Sequence, residues 1–334
     1  MLGAMHRREF IGGSAALLAT ASAPNKAPIS EPAITFYSDF WVNLHHTLYR
    51  QADALQTAYN GGTSSLHPIP RQFYEDATHL PRADQAAWYR ALESYQRQYA
   101  QRNFVFDDQL IRIENALADG APPGDLKRIL ASVAPIYRNT LWPAHDELNR
   151  RRIEQWRQSL AQYGPTLMPT LSRLYQAPWL RIPYRVDVVA STDRDGAFSI
   201  YGPKFWHIVT SSFDRQNYGL NGFEIIVHEA SHSIVSPDSG PIGRSIAVAA
   251  GSLNRPEPAD LWHVVIMYAP GSVLRELVAK AHGAPYTPAF VANDVLPEVY
   301  PRYYAALKQH FQPYVDGLAP LEPAMEQTVK AIVG

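Results

Sequence analysis

Asn221 to Pro237 reads NGFEIIVHEASHSIVSP, and within it His228, Glu229 and His232 follow the order H-E-x-x-H. Ile225, Ile226, Val227, Ile234 and Val235 make the stretch apolar on nearly all sides, which is the pattern of a buried helix. On a 3.6-residue repeat His228 and His232 share one face a turn apart, so two imidazole nitrogens can converge on one metal ion. Glu229 sits beside them, where its carboxylate can reach a water on that ion and act as general base. A charged side chain between two histidines in an apolar segment needs a partner, and a metal supplies one. The alternative is a buried helix whose His and Glu only hydrogen-bond their neighbours. Asn221 as cap, Glu224 three residues on as the second half of a capping box, and Pro237 as terminator set the expected helix bounds.

Two histidines do not complete a catalytic zinc site, which takes three protein ligands and keeps one position open. The chain has no cysteine, so nitrogen and oxygen must do all the binding. Downstream candidates are Asp238, Glu257, His263 and Glu276. Asp238 follows too soon after His232, Glu257 stands between two prolines in a loop, and Glu276 beside Arg275 fits an exposed ion-paired helix face. His263, embedded in LWHVVIM, is the preferred third ligand; a hydrogen-bonded core histidine is its other reading. Asp260 can orient that imidazole or cap the helix carrying it, with capping preferred. Arg275, after the Pro270-Gly271 pair, is a candidate for gripping a substrate carbonyl or carboxylate.

VHEASH on an apolar helix resembles the zincin metallopeptidases, and among them the gluzincin-like group with a remote third ligand. The metzincin pattern is absent, since SIVSPDSGPIG after His232 offers no histidine at the required spacing. The resemblance spans about Tyr184 to His282. It implies a Zn2+ cofactor, Glu229 as base, a peptide or protein substrate and amide hydrolysis. It also suggests that Tyr268 stabilises a developing oxyanion, although five residues after His263 places it about 140° round an ideal helix, within reach only if Pro270-Gly271 distorts the end. A strand before the metal helix would edge the cleft and pair with substrate, and Phe205 to Ser211 is the candidate, with an ordinary covered strand as its equal alternative. A histidine at position 263 departs from the glutamate that gluzincins provide, yet three-histidine zinc sites are also catalytic. The competing class is a non-catalytic exported protein: either a metal ties its helices together, or it is a metal-free helical binding module.

The remaining chain reads mostly as helix. Residues 1–23 resemble a twin-arginine export signal, with Arg7-Arg8 before an apolar run and Ala21-Ser22-Ala23 as cleavage site, which predicts a periplasmic or secreted protein. That run is too short to span a bilayer. Residues 24–178 read as a helical bundle. Its helical faces are Trp41, Leu44, Leu48 and Leu55; Trp88, Leu92, Tyr95 and Tyr99; and Leu126, Ile129, Leu130 and Val133. Further helices are expected at Asp107 to Leu117 and from about Pro143 to Gln162, the latter closed by Gly164-Pro165. His45 on the first face is either a cleft residue or, more commonly for such a position, a satisfied core histidine. Residues 179–290 form the zincin-like region, with an antiparallel meander of Tyr184 to Ala190, Ala197 to Tyr201 and Phe205 to Ser211. Residues 291–334 add helices, Pro301 to Tyr314 and Glu322 to Val333, expected to pack on the N-terminal bundle. The fold class is thus α+β, predominantly α, with a small antiparallel sheet packed on the metal helix. A formal charge of −1 argues against a nucleic-acid partner.

Overall fold

The computed structural model describes residues 32–59, 80–100, 102–192, 196–238 and 240–334; the export-signal reading lies outside them. The chain runs β1 (Ile34–Tyr37), α1 (Phe40–Tyr59), α2 (Arg82–Gln98), α3 (Asp108–Ala118), α4 (Gly124–Thr140) and α5 (Trp142–Leu174), then β2 (Tyr184–Val189), β3 (Ala197–Tyr201) and β4 (Trp206–Ser211). After the sheet come α6 (Leu220–Ser231), α7 (Gly240–Ser252), α8 (Leu261–His282), a short turn α9 (Ala289–Ala292), α10 (Pro301–Ala306), a π-helical segment Leu307–Phe311, α11 (Gln312–Val315) and α12 (Leu321–Val333). The architecture is α+β and predominantly helical. Among the described residues, no helix is long and apolar enough to cross a membrane.

The sheet is mixed rather than an antiparallel meander. Its order is β1-β2-β4-β3, with β1 and β4 both parallel to β2 and only β3 antiparallel to β4. Strand alternation divides its side chains between two apolar layers. Tyr184, Val186, Val188 and Ile208 join Phe36, Trp156, Phe223, Ile226 and Val265 in one core. Val189, Phe198, Ile200 and Val209 join Leu44, Trp88, Tyr95, Leu110 and Leu130 in the other. The sheet therefore partitions the N-terminal bundle from the layer that carries the H-E-x-x-H helix.

Several expected boundaries are corrected. β1 belongs to the region read as a helical bundle. α5 continues through Gly164, Pro165 and Pro169 to Leu174, because Tyr163, Leu167, Met168 and Leu171 are all buried and their packing outweighs the lost backbone bonds. α7, with Ile242, Ile246, Ala249 and Ala250 inward, was not anticipated. The C-terminal helices pack on the metal-side core: Leu307, Phe311, Leu321, Met325 and Val329 belong to it, and the Tyr314 hydroxyl donates to the Leu174 carbonyl.

β4 lies between β2 and β3, so its backbone groups are already paired on both sides and it cannot take an added strand. The expectation that Phe205 to Ser211 edges a cleft is therefore wrong. Strand β4 nevertheless touches the metal helix, because the Trp206 indole N–H donates to the Glu229 carbonyl at 3.1 Å.

Candidate metal centre

α6 begins after Gly219, whose φ of 61° suits glycine, and ends at Ser231 with His232 as its C-cap. Pro237 lies well beyond that end. The capping box does not form: Glu224 is fully buried, and its side chain turns from the helix start toward the Tyr286 hydroxyl at 2.8 Å and the Ala289 N–H at 3.0 Å. Burial pushes the Glu224 carboxyl up to about 7, with the donated hydrogen bonds opposing that rise. Tertiary partners have displaced the local cap.

His228 and His232 still share a face, with ring centroids 4.8 Å apart. α8 crosses beside them and turns His263 inward, with ring centroids 5.1 Å from His228 and 4.9 Å from His232. One ligand atom from each of the three rings lies within 4.8 Å of the others, a group that could hold a metal ion. Nitrogens held at 2.0–2.1 Å by a tetrahedral ion would stand about 3.4 Å apart, somewhat closer than the 4.8 Å that bounds these atoms. The Nδ1 of His228 lies 3.0 Å from the Ile266 carbonyl. A carbonyl can only accept, so Nδ1 carries the proton and Nε2 keeps its lone pair for a ligand.

The electrostatics suit a cation. Burial, then the neighbouring His263, lowers His228 to about 3, with the Ile266 carbonyl opposing. Burial followed by the two other rings holds His232 well below its ordinary value. Burial alone lowers His263 to about 4. At neutral pH all three imidazoles are uncharged, as metal ligands must be. Glu229 stands between the first two, its Oε1 4.0 Å from His228 Nε2 and its Oε2 4.0 Å from His232 Nε2.

Among the candidate third ligands, only His263 joins this group. Asp238 and Glu257 are exposed, and Glu276 pairs with Arg275 at 3.5 Å on a solvent face. Asp260 occupies the cap position of α8 in a left-handed conformation, φ 62°, without a side-chain capping bond, which corrects the capping role expected for it. α8 runs unbroken through Pro270 and Gly271, so the distortion that Tyr268 needed is absent. The Tyr268 hydroxyl donates to Gln312 and its ring packs near Tyr304, toward the C-terminal helices. Thus neither Tyr268 nor Arg275 has a described contact with the three histidines.

Two rings that sequence reasoning missed border the group. Phe290, from α9, sits edge-on to His228 with centroids 4.8 Å apart. Trp262 stacks on His263 at 5.3 Å and meets His232 edge-on at 5.6 Å. Trp262 was adjacent in sequence to the chosen ligand and could have been noted; Phe290 gave no local signal.

His45 proves to be a core residue. It and His46 lie in the other layer and share the buried Glu114, at 3.0 and 3.2 Å, while His45 Nδ1 meets the Tyr95 hydroxyl at 2.8 Å. Burial pushes the Glu114 carboxyl up, but the two imidazoles overcome it and hold the group well below the usual carboxylate range.

No protein-family model matches the chain, and neither does any curated protein or any solved structure. The functional reading therefore stands on the geometry.

Proposed function

We propose that this protein is a zinc-dependent hydrolase, in the zincin manner a metallopeptidase, acting on peptide or protein substrates after export from the cytoplasm. The observation that carries the reading is the convergence of His263, from α8, on the two histidines of α6, with Glu229 beside them. A three-nitrogen donor set with no thiolate fits Zn2+ and leaves a fourth position open. When bound, zinc supplies a Lewis acid that polarises a carbonyl and brings a water to a pKa of about 7.

The chain's own residues supply the rest. His228 is held in one tautomer by Ile266, so its Nε2 is presented without rearrangement. Glu229 is placed by its own backbone, which the Trp206 indole holds against β4, and its carboxylate accepts a proton from the attacking water and returns it to the leaving amine. Trp262 and Phe290 keep the surroundings apolar, which strengthens each charge interaction inside.

Glu229→Gln tests this. It keeps the size of the side chain and all three imidazoles, so zinc content should persist while hydrolysis of a peptide library falls by about 10²-fold or more. Full turnover by the variant would contradict the base role. Zinc binding with no hydrolysis by the wild type would favour a metal that only ties α6 to α8.

A further inference from the structure

Glu224 has no part in the hydrolysis, yet it is the deepest carboxylate on the metal helix and stands one turn before His228. Its Oε2 accepts from two donors of one short segment, the Tyr286 hydroxyl at 2.8 Å and the Ala289 N–H at 3.0 Å. The same hydroxyl also meets Asn221 Oδ1 at 3.2 Å. The turn α9 has no side-chain cap of its own, so its leading N–H takes its acceptor from α6. Close approach is arranged on the third side as well. Gly271 of α8 is so near that a Cβ there would stand 2.6 Å from both Glu224 Oε1 and Pro288 Cβ. Three elements thus meet at one carboxylate, and the residue directly after Ala289 is Phe290, whose ring lies against His228.

We infer that Glu224 is a positioning residue that hangs the Tyr286 to Phe290 segment on the metal helix, so that Phe290 forms an apolar wall beside His228 and favours substrates with a bulky apolar or aromatic side chain next to the bond attacked. The anchoring part stands on the geometry alone. The selectivity part rests on the proposed metal site. The physical ground for selectivity is that an aromatic edge held in place rewards apolar contact and leaves a polar side chain without a partner.

Two measurements test it. The first is backbone hydrogen exchange in the metal-free chain. Glu224→Ala should raise exchange of the amides from 286 to 292 by about tenfold or more relative to the rest of the molecule. Glu224→Gln, which retains an acceptor oxygen, should stay near wild type, and Tyr286→Phe should show the same local effect more weakly. Exchange in Glu224→Ala and Tyr286→Phe that is unchanged there, or raised equally in every helix, overturns the anchoring. The second uses the cobalt-loaded protein, whose visible bands report on the ligand sphere, titrated with acetohydroxamate and with phenylacetohydroxamate. Wild type should prefer the phenyl compound by about tenfold, and Phe290→Ala and Glu224→Ala should lose that preference while keeping the bands. A preference unaltered by Phe290→Ala overturns the selectivity. Absence of cobalt bands in wild type overturns the metal reading and the selectivity with it, while the exchange result still decides the anchoring.

Discussion

His228 donates through Nδ1 to the Ile266 carbonyl at 3.0 Å, so one backbone oxygen of α8 settles which nitrogen of an α6 histidine is available as a ligand. The bond also ties α6 to the turn of α8 that carries His263, since Ile266 and His263 lie on the same helix a turn apart.

The acid behaviour of the metal-free protein follows from those rings. His228 and His263 fall from 6.5 to about 3 and about 4 on folding, so the unfolded chain binds protons first. Their stabilisation is complete above pH 6.5 and is lost progressively as pH falls toward 4 and then 3. Below the ionisation of a zinc-bound water near pH 7, zinc affinity should likewise be nearly flat from about pH 6.5 to about pH 5, because protons do not yet compete for the nitrogens. Competition titration against a chelator checks this; a steep decline between pH 6.5 and pH 5 would show rings with ordinary basicity.

Glu224 has the opposite sign. Its pKa rises from 4.5 to about 7 on folding, so its contribution is fully present below pH 4.5 and is lost as pH rises through 7. Glutamine at this position carries no proton equilibrium. The stability of wild type relative to Glu224→Gln should therefore fall by about 3 kcal/mol between pH 4.5 and pH 8. Urea denaturation of both proteins at the two pH values measures it, and parallel stabilities would mean that the carboxylate is better solvated than its burial indicates.

Gly271 gives a test in which two effects compete. Alanine in a helix interior normally gains about 1 kcal/mol over glycine. Here the added Cβ would meet Glu224 Oε1 and Pro288 Cβ at 2.6 Å, and overpacking of that kind costs about 1–3 kcal/mol. The steric cost wins because Pro288 is rigid and Glu224 is held by two bonds. Gly271→Ala should lower the urea midpoint, whereas a raised midpoint would show that the three elements separate freely.

What could be read from the residues follows the range of the interactions. His228, Glu229 and His232 are legible because an i, i+4 pair is a local relation that survives any tertiary arrangement. His263 was readable only as a histidine on an apolar helix; its convergence depends on how α8 crosses α6. Non-local pairing hid β1, whose four residues gain their strand conformation from parallel partners in β2 far along the chain. The same limit misplaced Phe205 to Ser211, since a strand's own residues do not say whether it is flanked on both sides. Glu224 has the sequence position of a capping residue, but Tyr286 and Ala289 claim it once the chain is folded. Pro165 and Pro169 are local stop signals overridden by the burial of the helix around them.

The proposed hydrolysis requires that His228, His232 and His263 together hold one zinc ion. The most direct measurement of this is zinc per chain after equilibration with a slight molar excess of the metal and removal of the unbound fraction. This would be done for wild type, His263→Ala and Glu257→Ala. Wild type and Glu257→Ala should retain close to one zinc per chain, and His263→Ala should bind it about 10²-fold or more weakly. Wild type that retains no zinc, or His263→Ala that retains it as tightly as wild type, would rule out a zinc site built from these three histidines.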